Sequence, residues 1–291
     1  MDNFKIMDGA MGSELIRRGL SLPEHTWSAD ANINNPEMVR KIHMEYVDAG
    51  ADYITANTFR TTPRAYKKTL LSDARVEAVE TARVSLYKGV ELAKDAARNS
   101  VEVIGSIAPL EDCYSPELFP GRDDVHGEFS QLGEWLTSAG VDILLLETMN
   151  NVAETEAALI SIEKFGLPIW VSFVLKDHNY LLSGERISKA IERVNNYRVD
   201  CILLNCNPLA RTQMAVENLI SNCPHRWGVY PNLGIGEPSS DGHILHYEKM
   251  DYFLSTLDKI IGMGPFIIGA CCGSSPKHIQ GLNNLKYVLP S

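Results

Sequence analysis

The sequence predicts a (β/α)8 barrel of the TIM type. Three observations carry that prediction. Eight short runs rich in β-branched and aromatic residues recur along the 291 residues, separated by longer segments with helical spacing. Most of these runs are apolar almost throughout, the pattern of parallel strands covered on both faces. No G-x-G-x-x-G follows the first run, which weakens the rival doubly wound dinucleotide fold. No low-complexity tract or linker divides the chain, so residues 1–291 are expected to form a single domain.

The strand candidates, in order, are FKIMDG (4–9), ADYITANT (51–58), VEVIGSIA (101–108), VDILLLET (141–148), PIWVSFVL (168–175), VDCILLNC (199–206), RWGVYPN (226–232) and PFIIGACC (265–272). Helices are expected between them. NPEMVRKIHMEYVDAG opens with Pro36 and closes on Gly50, the usual asymmetry of helix ends. The segment from Asp73 to Asn99 is long and amphipathic, and NVAETEAALISIEKFG closes on Gly166. GERISKAIERVNNYR and NPLARTQMAVENLISNC lead out of the fifth and sixth strands. A last helix follows Ser275, an N-cap candidate, with Pro276 behind it. The longest irregular stretch is 109–129, after the third strand, and a loop of that length in a barrel is a candidate for function.

Composition narrows the function. Apolar residues make up 45% and charged residues 22%, an ordinary globular balance, and the formal net charge is -10. No basic stretch suits nucleic acid or an anionic membrane, and no apolar run is long enough to span a bilayer. The N-terminus carries no signal peptide, so a cytoplasmic address is expected. Six cysteines in such a chain point to core thiols, metal ligands or a nucleophile rather than a disulfide framework. Cys201, inside VDCILLNC, reads as a packing residue.

Active sites of these barrels lie at the C-terminal ends of the strands. Those ends carry Asp8, Asn57 and Thr58, Glu147, Cys206, Asn232, and the adjacent pair Cys271 and Cys272. Three thiols from strands six and eight would meet at one mouth. A catalytic zinc site has three protein ligands and one open position, so the trio suits Zn2+; chance clustering of buried thiols is the alternative. Neighbouring side chains of a regular strand point to opposite faces, so Cys271 and Cys272 need a loosened backbone to share an ion. Gly269 and Gly273 offer it. Glu147 follows ILLL and is expected to be buried, where a carboxylate needs a cationic partner such as a substrate ammonium group. Asp8 reads as a second such carboxylate or as a turn former, and Asn232 as a carbonyl ligand or a turn residue.

Six stretches at these ends, DGAMGSEL, ADYITANTF, LLLETM, LLNCNP, VYPNLG and GACCGSSPKHI, resemble the homocysteine S-methyltransferase family, a resemblance running from about residue 6 to about residue 288. It implies a zinc-dependent barrel in which Cys206, Cys271 and Cys272 hold the metal. Asp8 and Glu147 would take the homocysteine amino group, Asn57 and Thr58 would lie near substrate, and Asn232 would fill the fourth metal position in its absence. The implied partners are small molecules, homocysteine and a methyl donor. Departures from the pattern bear on the donor. SIAPLEDCYSPELFPGRDD stands where simple members carry GPYGA-like and EYRG-like segments, and Thr148 stands where betaine enzymes carry tyrosine. Because a negative mouth favours a cationic donor and a neutral thioether leaves without protonation, a sulfonium, S-methylmethionine ahead of S-adenosylmethionine, is expected rather than betaine. The chain carries no cobalamin or folate module. The alternatives are a separate corrinoid protein as methyl source, a different thiol or selenol such as selenocysteine, and a thiol or metal sensor without turnover.

Overall fold

The computed structural model describes residues 4–70, 75–235 and 244–288. Its strands, in chain order, are β1 Lys5–Ile6, β2 Tyr53–Ala56, β3 Glu102–Ile107, β4 Ile143–Met149, β5 Ile169–Phe173, β6 Cys201–Pro208, β7 Arg226–Asn232, β8 Gly234–Ile235, β9 His246–Tyr247 and β10 Ile267–Ile268. Eight of them, β1 to β7 and β10, pair in parallel in the order β1-β10-β7-β6-β5-β4-β3-β2. The ring closes between β1 and β2, where Asp52 N–H donates to Ile6 C=O at 2.7 Å and Asp8 N–H to Tyr53 C=O at 3.0 Å. The structure is thus the predicted (β/α)8 barrel, and each predicted strand overlaps an observed one, with β4 running on to Met149 and β6 to Pro208, past the predicted ends. β8 and β9, a small antiparallel hairpin beyond β7, were not foreseen.

Alternation along the strands sorts the core into two layers. Ile143 and Leu145 on β4, Cys201 and Leu203 on β6, and Ile104, Trp170, Tyr230, Met7 and Ile267 fill the barrel interior. Leu144, Leu146, Ile202, Leu204 and Val229 point outward and pack beneath the helices. Cys201 is buried in the interior layer, the packing role expected of it. At the N-terminal end the rings of Tyr53, Trp170 and Phe266 pack tilted or edge to face at centroid distances of 5.2, 6.0 and 6.4 Å. The Arg226 guanidinium caps them, 4.6 Å over Phe266. That end is plugged, which leaves the C-terminal mouth as the functional one.

The helices follow the expected pattern with shifted ends. Pro36–Asp48, Arg75–Ala97, Val152–Ile162, Ile187–Val194, Leu209–Asn222 and Pro276–Val288 are all helical. Asp73 and Ala74 of the predicted second helix lie outside the described residues. The irregular stretch expected over 109–129 ends at Gly121, because a helix runs from Arg122 to Ala139. Val125, Phe129, Leu132 and Leu136 are buried on it. Their 4-3-4 spacing is a helical stripe, and burial of each such side chain contributes about 1.5–3 kcal/mol. Gly121, at φ 103°, adopts a conformation that favours glycine and starts the helix.

Candidate metal centre

The strands bring the three predicted thiols together. Cys206 Sγ lies 3.9 Å from Cys272 Sγ, Cys271 Sγ also lies 3.9 Å from Cys272 Sγ, and all three sulfurs fall within 4.8 Å of one another. Zn–S bonds of about 2.3 Å in a tetrahedron place sulfurs roughly 3.8 Å apart, so the trio fits one face of a tetrahedral thiolate site. Among the described residues this is the single cluster of three metal-ligating side chains. Because Cys206 and Cys271 are hydrogen-bonded to Cys272, its pKa is held well below the ordinary thiol value. Cys271 is pushed well above it by its contact with Cys206, then by that with Cys272 and by burial. One thiol is poised to ionise first, and a cation would draw protons from the other two.

Two backbone devices aim the sulfurs. Leu203 and Asn205 follow the alternation of β6, which would send Cys206 outward. A left-handed φ of 51° at Cys206, rare for a residue with a Cβ, turns it instead. On the other side the chain runs past β10 beside β7: Cys271 N–H donates to Pro231 C=O and Leu233 N–H to Cys272 C=O, both at 2.8 Å. It then turns at Gly273, with φ 84°. The two bracketing glycines have different tasks. Gly273 supplies the turn, whereas a Cβ at Gly269 would sit 2.9 Å from Met7 Cβ, so Gly269 permits close approach of β1.

The turn is clamped by the helix Met11–Arg17, which the sequence reading did not identify as an element. Gly273 N–H donates to Ser13 Oγ at 2.9 Å, and Ala10 N–H donates to Ser274 Oγ at 3.0 Å. The Arg17 guanidinium reaches the carbonyls of Gly273 and Ser274, each at 3.2 Å. The stretch DGAMGSELIR carries both the hydroxyl of Ser13 and the guanidinium of Arg17, whose partners lie at the far end of the chain.

Below the thiols lies a polar ring. Thr55 donates its N–H to Asp8 Oδ2 at 2.9 Å and its hydroxyl to Asp8 Oδ1 at 3.1 Å. Ser106 Oγ donates to Glu147 Oε2. Ser172 Oγ donates to Asn205 Oδ1, and Asn205 Nδ2 donates to Thr148 Oγ1 at 2.7 Å. Burial pushes Asp8 well above the usual carboxylate range against the Thr55 hydrogen bonds, and the Glu147 charge adds to the rise. Burial likewise lifts Glu147 to about 7, opposed by Ser106 and Tyr230 and reinforced by Cys272. Asp8 is buried and Glu147 partly so, and neither carboxylate has a cationic partner among the described residues.

The remaining predicted residues have structural partners. Asn57 Nδ2 donates to Ser28 C=O at 2.7 Å and to Asn32 Oδ1 at 2.8 Å, and its Oδ1 accepts from Ser28 Oγ at 2.6 Å. Thr58 Oγ1 donates to Ser106 C=O at 2.9 Å and accepts from Ser106 N–H at 3.0 Å, tying β2 to β3. Asn232 Oδ1 accepts from Gly234 N–H at 2.7 Å, shaping the turn between β7 and β8.

The loop before Gly121 adds a residue the sequence reading missed. Arg60 donates to Glu111 C=O at 2.7 Å, Asn150 Nδ2 to Cys113 C=O at 2.9 Å, and Leu110 N–H to Glu154 Oε1 at 2.8 Å. So pinned, the loop presents Tyr114. The residue is 52% exposed, and the Cys206 charge, then burial and the Cys272 charge, raise its pKa well above the ordinary tyrosine value.

The sequence profile of the homocysteine S-methyltransferase family matches residues 5–285. The chain belongs to that family. Members similar to it include the homocysteine S-methyltransferase of Escherichia coli (strain K12), 29% identical across 95% of this chain and 93% of the relative. The selenocysteine methyltransferase of Astragalus bisulcatus is 26% identical across 95% of this chain and 90% of that one. Among solved structures, the metallated form of the Escherichia coli homocysteine methyltransferase MmuM superposes with a TM-score of 0.83 at 26% identity, over 98% of this chain and 96% of that chain. In this chain the three thiols form a cluster that could hold a metal ion. Among the described residues, no helix is long and apolar enough to cross a membrane.

Proposed function

We propose that this homocysteine S-methyltransferase family member transfers a methyl group from a sulfonium donor to the homocysteine thiol, with Zn2+ held by Cys206, Cys271 and Cys272. The observation that carries the reading is the meeting of two sites at one mouth: three sulfurs with tetrahedral spacing beside two carboxylates, Asp8 buried and Glu147 partly so, that have no cationic partner among the described residues. Zinc bound there supplies a positive centre that lowers the pKa of the substrate thiol, so that thiolate is available near neutral pH. Asp8 and Glu147 hold the ammonium group, which fixes the sulfur at the end of a short chain. Asn232, at the end of β7, would share its carbonyl oxygen between Gly234 N–H and the metal before substrate arrives; Asn57 and Thr58 support the wall beside β3.

The substrate sulfur donates an electron pair to the donor methyl carbon as the donor's S–CH3 bond breaks. That pair stays on the donor sulfur, which leaves as a neutral thioether without a proton. An anion and a cation thus become neutral, which a water-poor site favours. The acidic mouth attracts a cationic donor, and the loop carrying Tyr114 is the wall it meets first. Thr148, locked to Asn205 rather than free at the mouth, weighs against betaine.

The test is methionine formation by zinc-loaded protein from homocysteine with S-methylmethionine, S-adenosylmethionine, betaine or a methyl-corrinoid supplied separately. Turnover with a sulfonium is expected, S-methylmethionine ahead. Turnover with betaine or the corrinoid alone overturns the donor assignment, and none with any donor favours a sensor. The Astragalus relative supports a second reading for the acceptor, selenocysteine, which competition against homocysteine decides.

A further inference from the structure

Among the described residues the polar ring contains one unpaired member. Asp8 is matched by Thr55, Glu147 by Ser106, and Asn205 by Ser172 and Thr148. Tyr230, opposite Asn205 on β7, is 3% exposed, and its hydroxyl has no hydrogen-bond partner. It faces Glu147 and Ser172 without a well-aligned bond to either, and Cys206 and Cys271 are its further electrostatic neighbours. Its ring belongs to the barrel interior, against which Cys271 packs. A buried hydroxyl left without a partner is costly to the ligand-free protein and marks a place where a partner arrives.

The missing partner can be deduced by counting donors and acceptors. An ammonium group has three N–H donors and no acceptor. Asp8 and Glu147 supply acceptors for two of them. A phenol oxygen accepts as well as donates, so Tyr230 can take the third N–H while turning its own proton to the ionised Glu147 carboxylate.

We infer that the Tyr230 hydroxyl contacts the ammonium group of the substrate, completing a three-acceptor cage with Asp8 and Glu147, and is a determinant of the site's selection for α-amino thiols. This rests on the homocysteine reading above. In the cage the phenol sits between the ammonium receptor and the thiol trio. It therefore registers the presence of the amino group rather than that of the sulfur, which a metal held by the three cysteines would take.

The experiment is calorimetric titration of zinc-loaded wild type and Tyr230→Phe with homocysteine and with 4-mercaptobutanoate, which keeps the thiol and carboxylate but lacks the amino group. Tyr230→Phe is expected to weaken homocysteine about tenfold or more, as for a lost hydrogen bond to a charged group, and to change 4-mercaptobutanoate less than twofold. Zinc content is expected to be unchanged, and the thermal midpoint of the ligand-free variant equal to or above wild type, since the deleted hydroxyl has no partner to lose. Equal loss for the two ligands overturns the inference and assigns the hydroxyl to sulfur or to packing. An unchanged homocysteine affinity, or a variant with a lowered midpoint and lost zinc, overturns it as well. Wild-type protein that binds neither thiol defeats the homocysteine reading itself and the cage with it; wild type that binds homocysteine while Tyr230→Phe binds it equally defeats the cage alone.

Discussion

Cys271 and Cys272 are adjacent in the chain, yet their sulfurs lie 3.9 Å apart on one side of it. A regular strand would send them to opposite faces. Two inter-strand hydrogen bonds to the end of β7 and the left-handed turn at Gly273 override that alternation.

Metal content follows from this pairing. Purified, reduced protein should hold about one zinc per chain, as a three-thiolate site requires. Serine at position 206, 271 or 272 should each abolish retention after dialysis, while Cys201→Ser should keep it, because Cys201 lies in the barrel interior with the packing residues. Elemental analysis decides, and full retention in Cys271→Ser would falsify the assignment.

The turn itself can be tested. At Gly273, φ is 84°, and an added Cβ would lie 3.1 Å from the Tyr247 ring and 3.2 Å from Gly234 N. Gly273→Ala should destabilise the fold by about 1–2 kcal/mol, the cost of a left-handed conformation for an L-residue. It should also weaken zinc binding by swinging Cys272 away. A chelator competition showing wild-type affinity would separate the turn from the metal site.

Glu147→Gln should weaken homocysteine binding by about 1.5–3 kcal/mol, the worth of a charge-assisted contact, with zinc content unchanged. The pH dependence has a definite sign. Burial lifts the Glu147 carboxyl to about 7, so the anion that pairs with ammonium is present above that pH and is lost below it. Wild-type affinity should therefore fall as pH drops below about 7, and the fall should be shallower in Glu147→Gln. Parallel profiles for the two proteins would remove Glu147 from the substrate site.

Stability should also depend on pH through His43. It is fully buried on the helix Pro36–Asp48, and neither ring nitrogen has a hydrogen-bond partner. Burial lowers its pKa from 6.5 to about 3. The unfolded chain then binds a proton that the folded one refuses, so His43 costs nothing above about pH 6.5. Below that it removes stability at about 1.4 kcal/mol per pH unit until about pH 3. Denaturant midpoints at pH 7.5 and 5.5 should differ less in His43→Leu than in wild type. An equal difference would show that the imidazole is not the group responsible.

By itself the sequence determined the periodic parts of this protein. Apolar runs of strand length alternating with helical spacing specify eight parallel strands, because such runs must be covered on both faces and a barrel covers them. Residues at strand ends were legible for the same reason: the barrel sets its functional residues at one rim, so Asp8, Glu147, Cys206, Cys271 and Cys272 could be read as neighbours although up to 264 positions separate them. The start of the helix from Arg122 to Ala139 was not legible: up to residue 129 the sequence reads as loop, because the polar start hides the 4-3-4 stripe that the sequence does carry. What only the tertiary structure decided is whatever depends on one residue's backbone angle or one hydroxyl's partner. The positive φ of Cys206 and Thr148 breaks strand alternation without any glycine to announce it. Ser13 and Arg17 grip Gly273 and Ser274 from the opposite end of the chain. Asn57 and Thr58 sit at the rim by position but turn their polar atoms into the wall. Hydrophobic periodicity is a property of many residues and survives in a linear string; hydrogen-bond pairing is a property of two atoms in space, and nothing in the order of residues states which two will meet.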